Sequence, residues 1–180
     1  MRTAPSFLRA LMPAALIAAL ALPLSGCGLQ PLYSGGSSAG VIQGLSAVDV
    51  PAIPGRGGWL VRNALNERLG KVGSEVSPAY RLDVRLDDSL EALGVLNDDT
   101  ISRERRILRA RYQLVDLSSG EILLDATEGF DAGIDVVSSE YATIAAEQYA
   151  LENIAKEVAD RMATRIALTL RSRAGETAPQ

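Results

Sequence analysis

The sequence predicts an α+β fold, a four-stranded and largely antiparallel sheet with two helices packed on one face, in the order β-α-β-β-β-α. Three observations carry that reading. Tyr80, Leu82, Val84 and Leu86 alternate with Arg81, Asp83, Arg85 and Asp87, the period of a half-buried strand. Ser118-Ser119-Gly120 has the length and the glycine of a tight hairpin loop between two further strand-like segments. From about Ser139 to Arg173 there is neither Pro nor Gly, so one long helix fits the C-terminal region.

The elements follow in chain order. Leu45 to Ile53 reads as a short first strand, with Val48 and Val50 flanking Asp49 and with Pro51 and Pro54 closing it. Gly57-Gly58 reads as a turn before a helix in which Leu60, Val61, Ala64, Leu65 and Leu69 recur at 3.6-residue spacing, ended by Gly70 and Gly73. The clear alternation places the second strand over Tyr80–Asp87. A loop near Asn97-Asp98-Asp99 leads into a long third strand, Ile101 to Leu117, in which Leu108, Ala110, Tyr112 and Leu114 alternate with Arg109, Arg111 and Gln113. The fourth strand, Glu121 to Asp131, returns antiparallel after the hairpin. In the final helix Ser138 or Ser139 is the N-cap, and Ile144, Leu151, Ile154, Val158, Met162 and Ile166 mark one apolar stripe. Glu152/Lys156 and Glu157/Arg161 sit at i,i+4 spacing, Arg171 and Arg173 suit the C-terminal dipole, and residues 175–180 read as a disordered tail.

The first 26 residues read as a lipoprotein signal peptide. Arg2 and Arg9 form a positive n-region, and an apolar run follows from Ala10 to Leu24. That run reaches only roughly 22 Å as a helix, short of the ~30 Å hydrocarbon core, and Pro13 and Pro23 interrupt it. It ends in Leu24-Ser25-Gly26-Cys27, the apolar-small-small-Cys box that lipoprotein signal peptidase cleaves once the thiol is lipidated. Cys27 is the sole cysteine, so no intrachain disulfide competes for it. Acyl chains on Cys27, an N-acyl diacylglycerol, would tether the mature N-terminus, since each buried CH₂ contributes ~0.8 kcal/mol. Gly28 occupies the position where an Asp commonly marks inner-membrane retention, which favours the outer membrane. Residues 27–44 then form the lipidated N-terminus and a Gly/Ser linker, and 45–174 the single folded domain.

Composition excludes several function classes. Cleavage after Gly26 would leave 16 basic against 22 acidic residues, so the mature chain has no electrostatic reason to seek nucleic acid. With no histidine, Ser-His-Asp and Cys-His arrangements and the familiar zinc sites are missing, and no catalytic residue, metal site or cofactor is expected. Asp87/Asp88 and Asp98/Asp99 are the residue types of a glycosidase pair, but adjacent acids at a strand end or in a turn are ordinarily solvated.

One surface feature stands out. At period two, Arg103, Arg105, Arg109 and Arg111 share the face of the third strand opposite Leu108, Tyr112 and Leu114, and Arg81 and Arg85 share that sheet face. Guanidinium groups bind phosphate and carboxylate bidentately, so the stripe is a candidate docking site for an anionic partner. Equally, it is a solvated face neutralised by Asp83, Asp87 and Asp125. Arginines ~6.6 Å apart repel by only about 0.6 kcal/mol in water and ~2.5 at an effective dielectric of 20, so charge alone does not demand a ligand.

Cys27-Gly28-Leu29-Gln30-Pro31-Leu32-Tyr33 resembles the start of the mature lipopolysaccharide-assembly lipoproteins (LptE), in particular those of alphaproteobacteria, and the element order and long last helix are similar. The resemblance implies a non-enzymatic outer-membrane lipoprotein, periplasm-facing, that plugs the large LptD barrel, helps it assemble and assists lipopolysaccharide delivery. It also implies lipopolysaccharide binding through basic side chains, for which Arg103, Arg105, Arg109, Arg111, Arg81 and Arg85 are the candidates. Two alternatives stand beside it: the auxiliary lipoprotein of an ABC-type lipid transporter, and a periplasmic carbohydrate-active enzyme.

Overall fold

The computed structural model describes residues 43–70, 76–95 and 101–176. The leader, the lipobox with Cys27, the linker up to residue 42, Gly73, Asn97, Asp98, Asp99 and residues 177–180 lie outside the described residues. The elements are β1 (Val48–Asp49), α1 (Gly55–Arg68), β2 (Tyr80–Val95), β3 (Ile101–Asp116), β4 (Ile122–Asp135) and α2 (Glu140–Glu176). They build one mixed sheet in the order β1-β2-β3-β4, with β1 parallel to β2 and the rest antiparallel. A parallel pair needs a crossover, which α1 supplies, whereas β3 and β4 are joined by a tight turn. In that turn the Gly120 amide donates to Asp116 O at 2.8 Å with Gly120 at φ 75°, and Asp116 Oδ1 accepts from the Ser118 amide and hydroxyl at 2.8 and 2.6 Å. This is the hairpin loop expected at Ser118-Ser119-Gly120.

The first strand is much shorter than the Leu45–Ile53 expectation. Residues 43–46 form a helical turn, held where the Ala47 amide and the Ser46 hydroxyl donate to Gln43 O at 3.1 and 3.0 Å. On the other side Pro51 has no amide for a ladder, and Arg62 Nε occupies Val50 O at 2.9 Å. Only two residues remain to pair with β2.

The second strand is longer than the alternating pattern showed, running to Val95 rather than Asp87. β3 provides a continuous antiparallel partner, Asp88↔Leu108 through Ala92↔Glu104, and the ladder extends β2 past the end of its apolar signal. β4 gains four residues beyond Asp131 for the same reason, ending at Asp135. A strand of 16 residues spans roughly 53 Å, and both β2 and β3 have that length.

Gly57 and Gly58 are helical and buried rather than a turn. A Cβ on Gly58 would lie 2.4 Å from Ile53 O, so the first turn of α1 can fold back against the segment leaving β1 only with glycine there. Leu69 caps α1, and Gly70 follows at φ 70° in the left-handed region, the expected glycine stop. At α2 the Ser139 hydroxyl accepts the Ala142 amide at 3.4 Å, which fits the expected N-cap. Gly175 and Glu176 continue α2 instead of starting a tail.

Both helices cover one face. Val61 and Leu65 of α1 and Leu151, Ile154, Val158, Met162 and Ile166 of α2 meet Leu82, Leu108, Ala110, Tyr112 and Leu114, all fully buried or nearly so. Ile144, expected in the same stripe, is 44% exposed, because α2 begins beyond the packed region. The helices are also tied to each other through Arg56–Glu152 and Arg68–Asp160, and α2 is tied to β4 through Arg165–Glu128 and Arg161 over the Phe130 ring.

Candidate functional site

The face opposite the helices carries the arginines. Period two, fixed by buried Leu108, Ala110, Tyr112 and Leu114, turns Arg103, Arg105, Arg109 and Arg111 of β3 outward, and the register sets Arg81 and Arg85 of β2 beside Val115 and Arg111. The six arginines predicted to share a face therefore do so.

Most of them are neutralised one by one. Arg81 pairs with Asp83 at 3.0 Å, Arg103 with Asp135 at 3.1 Å, Arg105 with Glu91 at 3.6 Å and Arg111 with Asp125 at 3.2 Å. Arg111 and Gln113 both donate to Asp125, which holds that carboxyl below its ordinary range and raises the Arg111 guanidinium. Asp83 and Asp125 are thus two of the three acids expected to quiet the stripe. Glu91 and Asp135 are two more, reached only because β2 and β4 extend past their apolar patterns. Asp87 lies opposite Arg109 in the register. Among the described residues, Arg85 and Arg109 make no ion pair, and Arg85 faces Arg111 directly across the ladder.

Beside Arg85 the sheet opens. Segment 51–53 leaves β2 and frames a cleft of about 520 Å³ with Asp83, Arg85, Arg111 and Gln113. Its walls are the β2 backbone, Ile53 and a mixed set of charges, and nothing in it has the geometry of a nucleophile and its base.

A further arginine, outside the predicted set, is structural. Arg106 follows the parity of Leu108 and so turns toward the helices, where it donates to both oxygens of Asp88 at 2.9 and 2.8 Å and to Glu147 O at 3.5 Å. The pair is largely covered, with side chains 20% and 28% exposed. Its signal in the sequence was the even position alone. Asp88 is thereby an ion-pair partner, not half of a catalytic dyad with Asp87. Cys27 and Leu24-Ser25-Gly26 lie outside the described residues. No described helix is long and apolar enough to cross a membrane.

The family model for LptE, lipopolysaccharide assembly, matches residues 45–166, which is nearly the whole folded domain. The chain belongs to this family. LptE membership makes it a non-enzymatic lipoprotein of lipopolysaccharide assembly. A crystal structure from Caulobacter crescentus CB15, described as that of a lipoprotein, is 30% identical, with TM-score 0.62, and the match covers 75% of this chain and 98% of that one. Rare lipoprotein B from Shewanella oneidensis is 14% identical at TM-score 0.53, covering 68% of this chain and 92% of that one. Lipoprotein B from Nitrosomonas europaea is 10% identical at TM-score 0.54, covering 74% and 88%. These last two likenesses speak to the fold alone. No curated protein matches the chain.

Proposed function

We propose that this LptE-family chain is held on the periplasmic face of the outer membrane by lipid on Cys27, and that it partners and plugs the LptD barrel, assisting its assembly and the delivery of lipopolysaccharide. The family match over residues 45–166 carries the reading. The structure supports it physically: a barrel lumen is polar, and the open sheet face offers exposed, paired charges such as Arg103–Asp135 and Arg111–Asp125 rather than an apolar surface. Such a face meets polar walls with four of its six arginines already paired. Direct contact with lipopolysaccharide phosphates would fall to Arg85 and Arg109, the two stripe members that make no ion pair among the described residues.

The test is affinity capture of the mature protein from detergent-solubilised envelopes, washed at high salt. A large barrel that stays bound, together with an acylated Cys27 by mass spectrometry, is the expected result. Inner-membrane transporter subunits in its place would favour the ABC-transporter alternative, and an unmodified thiol would remove the anchor. Arg85→Glu with Arg109→Glu should lower lipopolysaccharide affinity without unfolding the chain.

A further inference from the structure

We infer that the free edge of β2 is a docking site for an extended strand of a partner protein, one that places an acidic side chain beside Arg85 and a basic one beside Asp87. The inference goes beyond the barrel partnership and does not depend on it.

The edge exists because β1 is so short. Its ladder with β2 ends at Asp49↔Arg81, and Pro51 and Pro54 prevent the chain from continuing it. The Tyr80 amide points at β1, donating to Ala47 O at 3.2 Å, so by period two the backbone groups of Val84, Leu86, Asp88 and Leu90 point the same way. The alternate residues Asp83, Arg85 and Asp87 turn theirs to β3. Among the described residues no strand takes up that outward row.

Proteins ordinarily blunt such an edge. The opposite one shows how: α2 leans over β4, Arg161 donates to Gly129 O, and Gly129 and Gly133 interrupt the row of side chains. β2 has no proline from Tyr80 to Val95, and among the described residues no helix side chain donates to its outward carbonyls. Where the chain leaves β1, the cleft of about 520 Å³ leaves room beside Leu82, Val84 and Arg85 for another backbone.

The charges give the partner its chemistry. Arg85 faces Arg111, a like-charge pair across the ladder, and Arg111 is already engaged by Asp125, so an acid beside Arg85 supplies the counter-charge that Arg85 lacks among the described residues. Asp87 next to it wants the opposite sign. On the helix side the added strand meets Leu86 and Leu90, the latter 45% exposed, so its inward side chains are apolar. A strand reading apolar-basic-apolar-acidic in alternation meets all of these demands.

The test is amide hydrogen exchange by NMR on the mature chain, alone and with a synthetic peptide in which valine alternates with lysine, glutamate and lysine. At saturation the amides of Val84, Leu86 and Asp88 should slow at least ~10-fold, while those of Asp83, Arg85 and Asp87, already bonded to β3, stay unchanged. Methylating the peptide nitrogens that face β2 should abolish the effect, and methylating the alternate set should leave it. Leu86→Pro, which removes one outward N–H and spares the β2–β3 ladder, should also abolish it. Unchanged exchange with millimolar peptide, or binding indifferent to which nitrogens are methylated, would overturn the inference. So would protection of the same amides in the free chain that grows with its concentration, because the edge would then be closed by a second copy.

Discussion

Under the two helices, Leu82, Leu108, Ala110, Tyr112 and Leu114 have no exposed surface, whereas farther along the same strands Leu90 and Leu93 are 45% and 47% exposed, and Tyr141 of α2 is 84% exposed. The proximal half of the sheet is a packed two-layer core. The distal half keeps its strands by backbone pairing and by ion pairs: Arg106–Asp88 on the helix side, Arg105–Glu91 and Arg103–Asp135 on the open side. Burial of apolar area is the dominant stabilising term, so the proximal half holds the fold together and the distal half depends on it. A region that is ordered but unfilled is suited to meeting a partner.

Substitutions can break this contrast. Leu108→Ala should cost 2–5 kcal/mol, roughly, because a fully buried side chain leaves a cavity, while Leu93→Ala should change stability by less than about 0.5 kcal/mol. Urea denaturation of the two variants decides, and equal losses would remove the distinction. Gly58→Ala comes next, at about 1–3 kcal/mol, since its Cβ would meet the Ile53 carbonyl at 2.4 Å. Gly57→Ala, whose Cβ would have its nearest neighbours at 3.7 Å, should instead be neutral or stabilise by up to about 1 kcal/mol through helix propensity.

Within the distal half, Arg106→Ala should cost about 1–2 kcal/mol, between the values for exposed and buried pairs, because it strands the Asp88 carboxylate under α2. Arg103→Ala should cost under about 1 kcal/mol, its pair being mostly in water. Tyr112→Phe also has a small effect at neutral pH, within about 1 kcal/mol, as the buried hydroxyl makes no well-formed hydrogen bond and the Arg165 guanidinium beside it is engaged by Glu128. Its signature is alkaline. Burial first, and the Glu128 carboxylate second, push the Tyr112 phenol from 10.0 up to about 12. The unfolded chain therefore loses that proton first, so the contribution is complete below pH 10 and is lost as the pH rises toward 12. Denaturation midpoints across that window should fall less steeply in Tyr112→Phe than in the parent chain.

The proximal half was legible in the sequence because apolar periodicity reports burial. Leu108 to Leu114 set the face of β3, and Leu151 to Ile166 set the stripe of α2. Where packing ends, that signal ends too. Ser89 and Glu91 of β2 give no alternating pattern, yet β3 holds them in register, opposite Ile107 and Arg105, through backbone bonds that any side chain permits. β1 failed in the other direction: Leu45 and Ala47 are buried and look strand-like, but the turn at Gln43–Ser46 and the proline at 51 limit the ladder to two residues. The arginine face was visible from parity, but its partners Glu91 and Asp135 were not, since each lies beyond an underestimated strand end. Arg106 was missed because a charged residue on the covered side breaks the alternation it belongs to.

The division of labour between the two halves is tested most directly by hydrogen exchange on the lipid-anchored protein, alone and in the complex captured from envelopes. New protection is expected in residues 86–95, 101–107 and 140–149, with 108–114 and 150–166 unchanged because they are already protected by the core. Protection gained chiefly in that core, with the distal strands and the start of α2 unaffected, would contradict it.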